Sequence, residues 1–176
     1  MISNLSIPRM VRPDELRYLI GIVKDHQPKR ILEIGAALGA VSWHFLANSD
    51  AELHTVDPWG GFTSNFRVID DLVPHTVTLE GWKNTVKKFG KRAIPYYCRS
   101  QDVELEGKFD LIWIDGDHSY DAVINDLELA QQHLETGGVL IGHDTLIPST
   151  REAVEHFAKQ YDWTMTEPLD NIWRLS

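Results

Sequence analysis

The chain has one cysteine, Cys98, among its 176 residues, so no intrachain disulfide can brace it. That thiol sits in the apolar-leaning run IPYYC, a setting that favours packing over nucleophilic chemistry. Positive charge is scarce: 17 Lys and Arg stand against 26 Asp and Glu, a formal net charge of -9. A phosphate backbone needs a basic face, so nucleic acid is not an expected partner. No uninterrupted apolar run approaches the roughly 20 residues that cross a bilayer, so no membrane is expected either. The opening MISNLSIPRM lacks both the charged and the apolar region of a signal peptide, and a cytoplasmic protein is expected. Repeats, low-complexity tracts and linkers are also missing, so residues 1–176 read as one domain. The dinucleotide fingerprint G-x-G-x-x-G is absent, which makes a nicotinamide dehydrogenase the weakest enzymatic reading.

What the chain does have is a regular exchange of helical and extended patterns. Pro13, Asp14 and Glu15 open an amphipathic helix that buries Leu16, Leu19, Ile20 and Val23 and stops at Pro28; residues 1–28 form an N-terminal helical cap. Short apolar strands are expected at Arg30–Ile34, Glu52–Val56, Ile94–Cys98, Phe109–Ile114 and Val139–Ile141. Helices are expected at Leu38–Asn48, at Leu79–Phe89 with Gly90 as cap, and at Ser149–Gln160. A further helix carries Ala122, Leu127, Leu129, Ala130 and Leu134 and closes at Gly137 and Gly138. WTMTEPLDNIWRLS, turning at Asp170 and Asn171, reads as a hairpin. The expected fold is therefore α/β: a single Rossmann-like domain with a mostly parallel sheet of about seven strands and a C-terminal antiparallel hairpin. Residues 58–78, punctuated by Gly60, Gly61 and Pro74, read as a substrate loop with one short helix at most. Trp59, Phe62, Phe66 and Trp82 in or beside it are candidates for a pocket or lid.

Chemistry concentrates in two places. LIWI runs into IDGDHSYD, with Asp115, Asp117 and His118, and VLI runs into GHDT, with His143 and Asp144. Open α/β sheets bind ligands beyond the carboxyl ends of their strands, so neighbouring strands would bring these five groups to one crevice. A third motif, ILEIGAALG, puts Glu33 at the end of the first strand and Gly35 and Gly39 in the turn that follows. An acid two positions before the first glycine suits a cationic ligand group better than a pyrophosphate.

Taken together, E-x-G-x-x-x-G, Asp57 at the end of the second strand in HTVDPW, and Ser100–Gln101 after the third resemble the class I S-adenosylmethionine-dependent methyltransferases. Within that superfamily, IDGDHSYD and GGVLIGHDT look like the metal-dependent O-methyltransferases of small molecules, the catechol and macrolide-sugar types. The resemblance spans about Arg12 to Ile147. It implies that Glu33 and Gly35 line the methionine part of the cofactor and that Gly39 and Asp115 also belong to the cofactor site. It also implies that Asp57 accepts hydrogen bonds from both ribose hydroxyls and that Ser100 and Gln101 face adenine. Asp115, His143 and Asp144 align with the three ligands of a divalent metal, Mg²⁺ or Mn²⁺, and His118 with the catalytic base. If the chain turned helically after Asp115, that residue and His118 would share one face. Asp117 reads as a turn or helix-capping residue.

The family usually carries Asp or Glu where His143 stands. An imidazole there moves the donor set toward Mn²⁺, Fe²⁺ or Zn²⁺, or gives His143 a supporting or substrate-binding role. The expected acceptor is a small hydroxylated molecule, a sugar or a catechol-like ring. Two other readings are a metal-independent methyltransferase with His118 as base, and a module that binds the cofactor without catalysis. Asp102–Lys108 is also too short for a crossover helix between the third and fourth strands, leaving one sheet face thinly covered. A homo-oligomer is therefore expected, and light scattering should give a mass of at least two chains; a monomer at all working concentrations contradicts it.

Overall fold

The computed structural model describes residues 11–60, 63–68 and 71–176. In chain order its elements are α1 (Pro13–His26), β1 (Arg30–Ile34), α2 (Ala40–Ala47), β2 (Glu52–Val56), β3 (Thr63–Val68), β4 (Asp71–Thr76) and α3 (Leu79–Val86). They continue with β5 (Ala93–Tyr96), β6 (Phe109–Ile114), α4 (Tyr120–His133), β7 (Leu134–His143), α5 (Pro148–Gln160), β8 (Met165–Leu169) and β9 (Ile172–Leu175). Seven strands form one sheet in the order β5-β2-β1-β6-β7-β9-β8. The first five run parallel, while β9 lies antiparallel to β7 and to β8, so the tail is the expected hairpin. Among the described residues no helix is long and apolar enough to cross a membrane.

The sheet is covered on both faces because successive residues of its inner strands point to opposite sides. Ile31, Leu53, Leu111, Trp113 and Ile141 pack with Leu19 and Val23 of α1, Val41 and Phe45 of α2, and Trp82 of α3. Leu32, Val56, Ile112, Ile114 and Leu140 pack with Val123 and Leu127 of α4, Val154 and Phe157 of α5, and Trp173 of β9. The direction of winding reverses between β1 and β6, whose residues Ile34 and Ile114 are paired in register. A ligand crevice belongs at that reversal.

Several elements differ from the sequence reading, each for a local reason. The segment read as an irregular loop contains the antiparallel ribbon β3–β4, paired from Thr63↔Thr76 to Val68↔Asp71. Pro74 fits there because a two-stranded ribbon leaves outer edges where a missing N–H breaks no ladder. Phe62 lies outside the described residues and Phe66 falls on β3 opposite Val73. Trp59 and Trp82 are core residues rather than a lid, 2% and 1% exposed, with ring centroids 5.4 Å apart. β7 starts at Leu134, not Val139: Leu134 already pairs with Phe109, and the register then jumps to Leu111↔Val139. Gly137, at φ 78°, lies in that bulge instead of ending α4. Between β5 and β6 the chain crosses without a full helix, through one short turn at Ser100–Asp102, and Val103 and Leu105 pack partly buried below it.

One glycine shows how tightly the edge hairpin is seated. A Cβ on Gly142 of β7 would lie 2.1 Å from the Trp173 ring, whose Nε1 donates to the His143 carbonyl at 2.9 Å. Gly142→Ala should therefore cost about 2–3 kcal/mol through overpacking. Urea unfolding measures it, and a loss below roughly 0.5 kcal/mol would show that the ring has room to move.

Candidate functional site

Parallel pairing of β1 with β2 and β6 fixes where the polar groups emerge. Backbone bonds Gly35 N–H to Val56 O (2.9 Å) and Asp115 N–H to Ile34 O (2.8 Å) extend the ladders one residue past the strands. Gly35 takes φ 82°, and a Cβ there would sit 2.1 Å from the Asp115 carbonyl oxygen. No side chain fits at this junction. Gly39, also left-handed at φ 83°, caps α2 and packs on Trp82, and it is not among the residues lining the cleft.

A cleft of about 460 Å³ opens over this junction. Glu33, Gly35, Asp57, Ser100, Gln101, Asp115 and His118 all line it, so all of the sequence-derived cofactor residues except Gly39 share one cavity. Asp117 and Asp126 line it too.

Glu33 is fully buried. Its Oε2 accepts from the Ser42 hydroxyl at 2.5 Å and from Thr55 at 3.1 Å, while Ser42 in turn accepts from Trp82 Nε1 at 2.9 Å. Oε1 has no partner among the described residues. Burial pushes the Glu33 carboxyl up to about 8, the two hydroxyls offsetting part of the cost and Asp115 and Asp57 adding to it. Asp57 organises the loop after β1: its Oδ2 accepts from Ala36 and Ala37 N–H at 2.8 and 3.0 Å, and its Oδ1 from Trp59 N–H at 2.6 Å. Both oxygens thus already hold backbone, which the sequence alone did not reveal.

At the other end stand the acid–imidazole groups. Residues 115–119 are not helical, because α4 starts only at Tyr120 after the extended cap Ser119. The expected helical face joining Asp115 to His118 therefore does not form. Asp117 instead accepts from Ser119 N–H at 2.8 Å and turns the chain, so that His118 Nε2 reaches Asp144 Oδ2 at 2.7 Å. Asp144 has a left-handed backbone, φ 64°, immediately after β7. Asn171 Nδ2, from the β8–β9 turn, donates to Asp144 Oδ1 at 3.1 Å, and Asn171 Oδ1 accepts from Leu146 N–H.

His143 lies deeper. Its Nδ1 is 3.3 Å from Asp144 Oδ2 and 3.6 Å from Asp115 Oδ1, and its Nε2 is 3.3 Å from Glu15 Oε2. Glu15 of α1 is 1% exposed and also accepts from Arg12 N–H and Nε at 2.6 and 2.7 Å. Desolvation opposes charge on the His143 ring, but Asp115 and Asp144 outweigh it and hold the ring at about 11. Burial likewise works against the Asp144 carboxylate, yet His118 and His143 drive it well below the usual range. Asp115 is raised by burial with partial relief from His143, and His118 is raised by its bond to Asp144. One ligand atom each from Asp115, His118 and Asp144 lies within 4.8 Å of the others, a spacing that a single cation can bridge. The compact donor group thus includes His118, whereas the sequence reading grouped His143 with the two aspartates.

Glu15, Asn171 and Asp126 were not read as site residues. Asp126 had a visible signal: it falls on the stripe Val123, Leu127, Ala130 that α4 buries, where a carboxylate is out of place. Asn171 read only as a turn residue, and Glu15 only as an early acid in a helix.

The buried Glu33 makes stability depend on pH. Its folded-state value of about 8 exceeds the ordinary 4.5, so the native state holds a proton that the unfolded chain has released between those values. Stability from this group is full below about 4.5 and is lost as pH rises through about 8. Glu33→Gln should flatten that decline when denaturation is followed from pH 5 to about 8.5. An unchanged slope would mean that Glu33 is ionised in the fold.

Comparison with known proteins agrees with this layout. Residues 32–145 match a family model described as a methyltransferase domain. No curated protein sequence matches the chain. Among solved structures, a Podospora anserina methyltransferase bound to S-adenosylhomocysteine superposes with a TM-score of 0.69 at 18% identity, covering 94% of this chain and 79% of that one. An O-methyltransferase from Bacillus cereus in complex with S-adenosylhomocysteine gives 0.71 at 16% identity, covering 94% and 81%. A Streptomyces achromogenes O-methyltransferase involved in tomaymycin synthesis, in complex with S-adenosylmethionine, gives 0.66 at 16%, covering 94% and 80%. With the family match spanning most of the sheet and its crevice, the chain belongs to the methyltransferase-domain family and has the class I methyltransferase fold.

Proposed function

We propose that the protein is an S-adenosylmethionine-dependent O-methyltransferase acting on a hydroxyl of a small molecule, a sugar or a catechol-like ring. The observation that carries this reading is that Asp115 and His118 line the cleft, with Asp144 paired to His118 and within reach of the same cation. The structural neighbours in complex with S-adenosylmethionine or its demethylated product support the choice of cofactor. Methylating a hydroxyl requires removal of its proton while the oxygen is held in line with the sulfonium methyl group. His118 lines the cleft with its Nε2 held by Asp144 at 2.7 Å, so the proton would go to its other ring nitrogen, Nδ1. The new C–O bond forms as the C–S bond breaks, and the cofactor leaves as S-adenosylhomocysteine. Glu33 serves the cofactor's ammonium group and Asp57 its ribose hydroxyls, through the lone pairs their present partners leave free.

Asp115, Asp144 and His118 also fit a divalent cation: hard carboxylate oxygens with one imidazole suit Mn²⁺, Fe²⁺ or Zn²⁺ at least as well as Mg²⁺. Such an ion, when bound, would lower the pKa of a coordinated hydroxyl. A neutral His118 that gives one ring nitrogen to the ion carries its proton on the other, so it cannot be ligand and base at once. His143, fixed between Asp115, Asp144 and Glu15, holds the two aspartates together in either case. The 2.7 Å His118–Asp144 pairing favours, as a second reading, the same transfer without a metal.

Methyl transfer to a panel of catechols and sugars, followed by mass spectrometry with and without EDTA, separates these readings. His118→Gln and Asp115→Ala should each lower the rate by about 10²–10⁴-fold. Activity lost in EDTA and restored by Mn²⁺ assigns the metal. Full activity in EDTA with a rate that rises with pH, a rise absent from His118→Gln, assigns His118 as base. The raised His118 value places that rise above 6.5. Variants as active as the parent would remove the cluster from the reaction.

A further inference from the structure

The cleft straddles β1, so its two walls differ. On the α2 side is Glu33; on the α4 side are Ile34, Val56, Ala122, Ser100, Gln101 and Asp126. Asp126 is 2% exposed, lacks a cationic partner among the described residues, and has an Oδ1 with no hydrogen bond. Its carboxyl meets the Ser100 hydroxyl, and its Oδ2 lies 3.3 Å from where a Cβ on Gly116 would be. Burial, only partly relieved by Ser100, holds the group up at about 7, with Asp117 adding to the shift. A buried acid without a counter-charge destabilises the fold, and helix packing would be served better by a leucine. Asp126 nonetheless lines the cleft, and a lining carboxyl with a buried oxygen that finds no partner in the fold points to a donor on the ligand.

We propose that Asp126 is a specificity-determining residue that accepts a hydrogen bond from the 6-amino group of the cofactor's adenine. This rests on the S-adenosylmethionine reading above. In that reading the methyl group must lie toward His118 and the ammonium toward Glu33, which leaves the α4-side wall for the purine. Apolar Ile34, Val56 and Ala122 suit the faces of a flat ring, while Ser100, Gln101 and Asp126 supply polar groups for its edge. A residue that only pinned the Ser100–Asp102 turn to α4 would affect all purine ligands alike, whereas a reader of the amino group discriminates between them.

The test is calorimetry at about pH 8.5, above the Asp126 value, with S-adenosylhomocysteine and its deaminated 6-keto analogue. The parent should prefer the amino form by about 100-fold, because the keto oxygen faces an acceptor. Asp126→Asn, nearly isosteric, should narrow the preference to roughly 5-fold, since its amide N–H₂ can donate to the keto group. Asp126→Ala should weaken S-adenosylhomocysteine by about 10-fold and narrow the preference as well. If both variants retain the parent's full preference, the proposal is overturned. If the parent binds neither compound, the cofactor reading itself fails, and the proposal with it.

Discussion

The site depends on how closely the ends of β1 and β6 approach. Their pairing puts Ile34 beside Ile114, and the next residues are Gly35 and Asp115. The space a Gly35 Cβ would need is already filled by the Asp115 carbonyl, 2.1 Å away. This contact sets the width of the crevice. It lets the loop after β1 fold over so that Ala36 and Ala37 reach Asp57, and it delivers Asp115 from β6 to within reach of groups at the end of β7. Glu33, Gly35, Asp57 and Asp115 all stand on this junction or on the end of β2 paired to it.

The electrostatics follow from the same geometry. Strand ends and helix faces put Glu33, Asp115 and Asp126 in the wall of one cavity, with Asp144 behind them on His118 and Glu15 of α1 on His143. Two of these acids, Glu33 and Asp126, have no cationic partner among the described residues and are held near neutrality by burial. The others are bound together by His143 and His118. The cavity thus has acceptor-rich walls and a compact acid–imidazole end, a division that matches a cofactor with several donors and a reaction that releases a proton. Buried acids of this kind lower stability, and they are best understood as groups kept for a ligand.

Much of this was legible in the sequence because the signals were local. Apolar runs ending in acids marked β1, β6 and β7, and the hairpin at Asp170–Asn171 announced itself by its turn. The site residues Glu33, Asp57, Ser100, Gln101, Asp115 and His118 share one cavity because strand-end positions map onto a parallel sheet in a fixed way. What was missed depended on long-range contacts. The ribbon β3–β4 was hidden by Pro74 and flanking glycines, which break a pattern without forbidding pairing. Trp59 and Trp82 looked like a lid, since nothing in a sequence shows two rings packing under a strand. Glu15 reaches His143 across more than a hundred residues, and Asn171 reaches Asp144 from a turn that seemed only structural. The pairing of Asp144 with His118, and the burial of His143 beneath both, were set by the left-handed backbone at Asp144 and by Asp117 turning the chain.

The central claim is that one cleft binds the cofactor with its reactive end at His118 and Asp144. A crystal structure with S-adenosylhomocysteine and Mn²⁺ tests it most directly. The account predicts the ammonium group at Glu33, the sulfur facing His118, and the purine on the α4-side wall. A ligand bound in the reverse sense, or outside the crevice between β1 and β6, would contradict it.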